Sequence, residues 1–242
     1  MTESSPFALY ITGPDVNSGD LGLPTAGLQL KLIDVEGKTE VRYRGPNITP
    51  GYWRAPDATA EAFDEEGFFA SGDAVVWIDE NDIHKGLRFD GRIAEDFKLA
   101  TGTFVSVGPL RARIIAAGAP YVQDAVLTGL NLKEVGAMLF PSQALRGLAG
   151  LPADTAMNEV IASQPVQAWL QELVNTLARS GTGSANRIAR AVLMAEPPSI
   201  DKGEVTDKGS INQRAVLKHR AAQVDALHTG TLPHIAIPQG KT

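Results

Sequence analysis

Apolar and polar positions alternate over residues 28–33 (LQLKLI) and again over 40–44 (EVRYR), with Glu36-Gly37-Lys38 between them. This period of two predicts a β-hairpin over 28–44. A short helix is predicted over 57–63, with Pro56 near its start. Residues 67–77 carry strand signals around a Ser71-Gly72-Asp73 turn, and Asp79-Glu80-Asn81-Asp82 reads as a loop. Asp64-Glu65-Glu66-Gly67 reads as a solvated corner. The first 90 residues are therefore expected to be β-rich.

The pattern changes near Gly91. A helix is predicted over 109–117, with Pro109 in its first turn and Gly118 just past its end. The apolar runs 122–127 and 135–140 are short enough to be strands, and residues 147–154 form a loop of small residues. Helical periodicity is clearest over 165–179, where Val166, Leu170, Val174 and Leu177 share a face that Trp169 and Leu173 widen. Gly181 stops this helix. A strand over 188–194, a break at Glu196-Pro197-Pro198, a closing amphipathic helix over 211–227 and a tail complete the chain. The predicted fold class is α+β, with a β-rich part over 1–90 and a compact α+β domain over 91–242.

Charge narrows the functions. Lys and Arg number 22 against 28 Asp and Glu, a net charge of −6 with no basic block, so general nucleic-acid binding is not expected. The chain has no cysteine, which excludes disulfides, thiolate metal sites and cysteine nucleophiles. No run approaches the roughly 20 apolar residues of a spanning helix. MTESSPFALY lacks the pattern of a signal peptide, so no membrane association and a cytoplasmic location are expected. His84, His219, His228 and His234 have no metal-ligand spacing.

Four segments carry candidate chemistry. They are Met1-Thr2-Glu3, the loop 45–53 (GPNITPGYW), Phe69-Ala70-Ser71-Gly72-Asp73, and 90–98 (DGRIAEDFK) followed by Gly102. The aromatics Tyr52 and Trp53 are read as core residues. Glycine before Asp73 lets a carboxylate project from a tight turn, where it can accept hydrogen bonds from vicinal hydroxyls. Glycine at a domain joint, as at Gly91, permits a large dihedral change.

In this order the segments resemble the adenylate-forming enzymes, the superfamily of acyl- and aryl-CoA ligases and peptide-synthetase adenylation domains. The resemblance covers nearly the whole chain, but only as the C-terminal part of such an enzyme. Residues 89–126 and the run 197–214 (PPSIDKGEVTDKGSINQR) are most similar to bacterial feruloyl-CoA synthetases. The resemblance implies acid activation by ATP to an acyl-AMP and pyrophosphate, then rotation of a small mobile domain and attack by the CoA thiol. It implies that residues 1–90 end a large AMP-binding domain and that 91–242 form the mobile one. Thr2 would contact the phosphate region, Glu3 would hold Mg²⁺, Asp73 would accept the ribose hydroxyls and Arg92 would contact ribose or phosphate. Lys98 through Gly102 would help to form the CoA channel. The hinge would involve Gly91, with the usual hinge position falling on Ala94 and Glu95 or Asp96 taking over. A lysine would bridge the substrate carboxylate and the α-phosphate.

The lysine motif departs from the family pattern. In Thr206-Asp207-Lys208-Gly209-Ser210 the lysine precedes the glycine, and strict alignment from Glu204 puts Ser210 at the lysine position. Lys208 is the first choice and Lys202 the second; the bland alternative is that both are solvated loop lysines. The family's acidic Pro-x-Glu-x-Glu is Pro109-Leu110-Arg111-Ala112-Arg113 here, with charge reversed. The phosphate-gripping loop and aryl pocket of such enzymes lie upstream of the Thr-Glu motif, so aromatic acid, ATP and CoA would be engaged together with that N-terminal region, and the isolated chain is expected to be inactive. Ser180-Gly181-Thr182-Gly183-Ser184 lacks the lysine of that loop and reads as a helix cap. The rivals are an adenylation domain or carboxylate reductase that uses a carrier-protein thiol, and a non-catalytic interaction module.

Overall fold

The computed structural model describes residues 1–17, 19–35, 37–206 and 209–239. It divides into two compact units, Met1–Ala94 and Glu95–Thr242. In the first unit, β1 (Leu9–Tyr10), β2 (Asp20–Pro24), β3 (Gln29–Val35), β4 (Lys38–Arg44), β5 (Phe69–Trp77) and β6 (Leu87–Arg92) form one antiparallel sheet in the order β1-β2-β6-β5-β4-β3. A short helix, α1 (Pro56–Ala62), precedes β5. Strands β3 and β4 pair without interruption from Gln29↔Arg44 to Val35↔Lys38. The alternation of 28–44 therefore does become a hairpin. Its buried side supplies Leu28, Val41 and Tyr43 to a cluster with Ala8, Phe69, Val75 and Leu87.

The expected turn at Ser71-Gly72-Asp73 is corrected to a continuous strand. Gly72 adopts φ +68°, and the register of β5 shifts against both neighbours around it. A left-handed glycine inside a strand makes a bulge that re-aims the next side chain without reversing the chain. The reading of Asp64 as merely solvated is also corrected. Its carboxylate accepts the amides of Phe68 and Glu66 and the cations of Lys31 and Arg42. These contacts, the Phe68 amide foremost, lower its pKa to about 2.

The second unit begins with a small hairpin, β7 (Phe97–Lys98) and β8 (Phe104–Val105), followed by α2 (Val107–Gly118). Strands β9 (Val122–Thr128), β10 (Val135–Pro141) and β11 (Ile188–Leu193) form a sheet in the order β11-β10-β9. The β9–β10 pair is antiparallel, whereas β10 and β11 are parallel, so their connection must cross over. Helices α3 (Leu145–Ala149), α4 (Met157–Ala162) and α5 (Gln164–Arg179) make that crossover. Both faces of the sheet are apolar, as a sheet covered on both sides requires. Ala125, Leu127, Ala137, Leu139, Ala191 and Leu193 pack with α2 and with the predicted stripe of α5. Val126, Met138, Phe140, Val192 and Met194 face the other way, towards Ile211, Val216 and Leu227. Burying each of the five core residues of α5 contributes about 1.5–3 kcal/mol.

Two further expectations are corrected here. The closing helix is two helices, α6 (Gln213–His219) and α7 (Ala221–Thr229), broken at Arg220, whose φ and ψ are −106° and 26°. The side chain of Arg220 turns inward to the buried carboxylate of Glu204 and to the carbonyls of Glu196 and Pro197. The tail is held as far as Gln239. Ala236 bridges Ala191, and Gln171 and Asn175 of α5 bond Ile237 and Gln239. Ser180 caps α5 and Gly181 follows, as the sequence indicated. Among the described residues no helix is long and apolar enough to cross a membrane.

Candidate functional site

In the first unit the separate sequence segments converge. Thr2 and Glu3 lie on a 3-10 turn, Thr2–Ser4. This turn is pinned to the loop 45–53: the Thr49 amide donates to the Glu3 carbonyl at 2.8 Å, and Asn47 Nδ2 donates to the Ser4 carbonyl at 3.2 Å. The Tyr52 hydroxyl donates to Glu3 Oε1 at 3.2 Å. The reading of Tyr52 and Trp53 as core residues is corrected: Tyr52 is exposed enough to reach Glu3, and Trp53 is 87% exposed beside Arg54. The sheet clusters fill without them, and a left-handed Arg54 turns the loop outward.

Asp73 stands opposite Arg92 across β5 and β6. The backbone around it is tightly held. The Gly72 amide donates to Glu40 Oε1 at 3.0 Å, Glu40 is itself gripped by Arg42 at 2.8 Å, and the Asp73 amide donates to Ser71 Oγ at 3.1 Å. The Asp73 carboxylate is less well served. Its Oδ1 is buried with no hydrogen-bond partner among the described residues, and Arg92 Nε sits 3.5 Å away, an ion pair without hydrogen-bond geometry. Burial, reinforced by the negative charges of Glu3 and Glu40, raises the Asp73 pKa; Arg92 opposes this. An acceptor left unsatisfied in this way is suited to an incoming hydroxyl donor.

Gly91 and Arg92 belong to β6, and the division between the units falls after Ala94, inside the 3-10 turn Ile93–Glu95. Asp96 Oδ1 accepts the Val107 amide at 2.7 Å, at the start of α2. Lys98 and Gly102 occupy the β7–β8 hairpin, whose tip turns at Gly102 with φ +80°. The hairpin is fixed to the turn after β9 by Ala100–Leu132 and Asn131–Lys98 backbone bonds. Arg111, one of the charge-reversed positions, clamps Asp124 of β9 through two 2.6 Å hydrogen bonds and so joins α2 to the sheet.

The lysine segment lies between β11 and α6. Lys202 is exposed on a turn that closes at Gly203, with φ +66°. Lys208 and Asp207 lie outside the described residues. On either side of them the chain is ordered into a narrow loop: Val205 bridges Ile211, the Thr206 amide donates to the Ser210 carbonyl at 2.8 Å, and Gly209 has φ +80°. A cavity of about 410 Å³ lies beside this loop, lined among others by Phe140, Met194, Pro198, Val205 and Ile211.

Residues 96–231 match the family described as AMP-binding enzyme C-terminal domain. The chain belongs to this family. This AMP-binding enzyme C-terminal domain, with the residues before it, is 27% identical to the long-chain-fatty-acid–CoA ligase 6 of Homo sapiens, over 94% of this chain and 34% of that protein. It is 26% identical to a probable chloroplastic acyl-activating enzyme 16 of Arabidopsis thaliana, over 87% of this chain and 31% of that protein. The chain thus spans about a third of the length of the curated relatives it matches. Among solved structures, the A domain of a carboxylic acid reductase from Segniliparus rugosus, in complex with AMP and a carboxylic acid, is similar with a TM-score of 0.67 at 24% identity, over 88% of this chain and 33% of that one. An anthranilate CoA ligase in complex with anthranoyl-AMP is similar with a TM-score of 0.63 at 21% identity, over 96% of this chain and 40% of that one. These likenesses show the adenylate-forming fold.

Three contacts in this AMP-binding enzyme C-terminal domain and the unit before it have no signature in the sequence pattern. They are the Tyr52–Glu3 bond, the Glu40–Gly72 bond and the buried Glu204–Arg220 pair. Tyr52 lies in a segment already quoted as a motif, so a polar role for its hydroxyl was within reach. Glu40 reads as the outward residue of an alternating strand, and only the bulge in β5 turns its environment inward.

Proposed function

We propose that this chain is the C-terminal part of an ATP-dependent acyl/aryl-CoA ligase that activates a hydroxycinnamic acid such as ferulic acid. In this reading residues 1–90 end the large AMP-binding domain and 91–242 form its small mobile partner, turning about Gly91, Ala94 and Glu95. A carboxylate oxygen attacks the α-phosphorus of ATP, the bond to pyrophosphate breaks, and an acyl-AMP forms. The CoA sulfur then attacks the acyl carbon, AMP leaves, and the thiol proton goes to solvent or base.

The observation that carries the reading is the buried, unpartnered Asp73 Oδ1 on a strand bulge beside Arg92. It suits the vicinal hydroxyls of a ribose, which supply the hydrogen bonds that oxygen lacks. Thr2 and Arg92 serve the phosphate side. Glu3 would offer one carboxylate to Mg²⁺, which takes one or two carboxylates together with phosphate oxygens and water. The ion, when bound, supplies charge neutralisation to the phosphates. Lys208, or else Lys202, places a movable cation where negative charge gathers in the first step. Lys98 and Gly102 line the approach of CoA in the second.

Similarity of the 89–126 and 197–214 runs to feruloyl-CoA synthetases supports an aromatic acid, and the named relatives support a long-chain fatty acid as the second reading. Purified intact protein, given ATP, Mg²⁺ and CoA with each class of acid, decides between them. Feruloyl-CoA formation with little turnover of palmitate is expected; the reverse order overturns the substrate assignment. The isolated chain is expected to form no thioester.

A further inference from the structure

We propose that Glu204 and Arg220 form a positioning clamp that sets the lysine-bearing segment 196–212 for acid activation; the kinetic part of this claim rests on the function proposed above. The segment carries both Lys202 and Lys208 and leaves the sheet through Glu196-Pro197-Pro198. Its described residues contain no helix or strand, only the Val205–Ile211 bridge. A cation that must meet a reacting phosphate needs such a segment to hold one shape, because small displacements of a catalytic group are costly in rate.

One side chain holds both flanks. Arg220 donates from Nε to Glu204 Oε1 at 3.0 Å and from Nη2 to Glu204 Oε2 at 2.7 Å. The same guanidinium donates to the carbonyls of Glu196 at 3.0 Å and Pro197 at 2.8 Å, where the segment starts. Glu204 completes the frame. Its Oε2 accepts the Ser199 amide at 2.8 Å, its own amide donates to the Ser199 carbonyl, and its carbonyl accepts the Asn212 amide at 2.9 Å, where the segment ends. Asn212 then caps α6. Arg220 also stacks over Phe140 of the sheet at 5.2 Å, which anchors the clamp to the core.

Glu204 is 1% exposed and Arg220 8% exposed. A buried ion pair is weak evidence for stability, because apolar residues of similar volume commonly serve as well. What apolar residues cannot supply is a forked set of donors that fixes two loop carbonyls and a carboxylate at once. The geometry therefore points to orientation of the segment as the role of the pair.

The test uses the double variant Glu204→Leu/Arg220→Met, which leaves no unpaired charge and keeps the domain folded. In the intact protein, acyl-adenylate formation is expected to slow by roughly tenfold to a hundredfold, with thioester formation from supplied acyl-AMP unchanged. In the chain itself, hydrogen exchange is read at the amides of Glu204, Thr206 and Asn212. Their acceptors are backbone carbonyls that the substitutions do not remove. Exchange there is expected to rise by about tenfold while amides of β9, β10 and β11 keep their protection. Equal slowing of both steps overturns the positioning role. Unchanged exchange overturns the clamp itself. An intact protein that makes no acyl-adenylate from any acid overturns the functional reading and the kinetic role with it, and the exchange result still decides the clamp.

Discussion

Truncating one member of the Glu204–Arg220 pair while keeping the other should cost far more than removing both. In Arg220→Met, Glu204 stays 1% exposed and keeps only the Ser199 amide of its three side-chain donors. Stranding a buried carboxylate in this way costs about 3–5 kcal/mol. Glu204→Leu strands the guanidinium instead, but Arg220 retains two carbonyl partners, so a smaller loss is expected. In the double variant neither charge remains, and the released carbonyls belong to exposed residues that water can reach. Its stability should fall within about 1 kcal/mol of the original. At about 2–4 °C per kcal/mol for a domain of roughly 150 residues, Arg220→Met lowers the midpoint by roughly 6–20 °C and the double variant by a few degrees. Thermal and urea unfolding of the chain, followed by circular dichroism, closes the cycle. Additive losses, with the double variant the worst of the three, would refute the reasoning. Acid should act like the single variant. The Arg220 hydrogen bonds hold the Glu204 pKa below 4.5, so this contribution is complete above the unfolded value and is lost as pH falls through the folded one.

Asp73 is expected to trade stability for binding. Its pKa is raised by burial, so the ionised form burdens the fold at neutral pH and the burden eases as pH falls through the folded pKa. Asp73→Asn should stabilise the first unit by about 1 kcal/mol at pH 7 while weakening ATP in the intact protein, and 2′-deoxy-ATP should lose less than ATP does. Calorimetric unfolding together with ATP titration checks both halves. His228, bonded to Thr128 at 2.7 Å, has its pKa lowered by burial first and by Arg190 second. Its contribution is complete above the unfolded value of 6.5 and is lost as pH falls below it; His228→Gln should flatten the stability profile on the acid side of 6.5. An unaltered profile in that variant removes His228 from the account.

What was legible in the sequence was local. The α5 stripe and the 28–44 hairpin declare themselves because their periodicity and their burial coincide within one element. The apolar runs of β9 and β10 were readable as strands, whereas the burial of both their faces needed the structure. The short strands β1, β2 and β6 were not readable, because pairing with strands far along the chain defines them more than any pattern of their own. The break at Arg220 hid for the same reason. An arginine on an amphipathic helix looks like a solvated charge, and its partner Glu204 lies in an irregular loop before the helix. At the candidate site, Asp73 and Arg92 were found through family likeness; the orphaned oxygen, the bulge that aims it and the Tyr52 contact to Glu3 needed three dimensions.

The central claim is that this chain delivers a lysine to an acid and ATP in the first of two steps. Its most direct test is Lys208→Ala in the intact protein, with acid-dependent ATP–pyrophosphate exchange measured beside thioester formation from supplied acyl-AMP. Exchange is expected to slow by about 10²–10³-fold, the effect of losing one preorganised charge-stabilising donor, with the second step almost untouched. Full retention of exchange in both Lys208→Ala and Lys202→Ala, or an equal loss in the two steps, would contradict it.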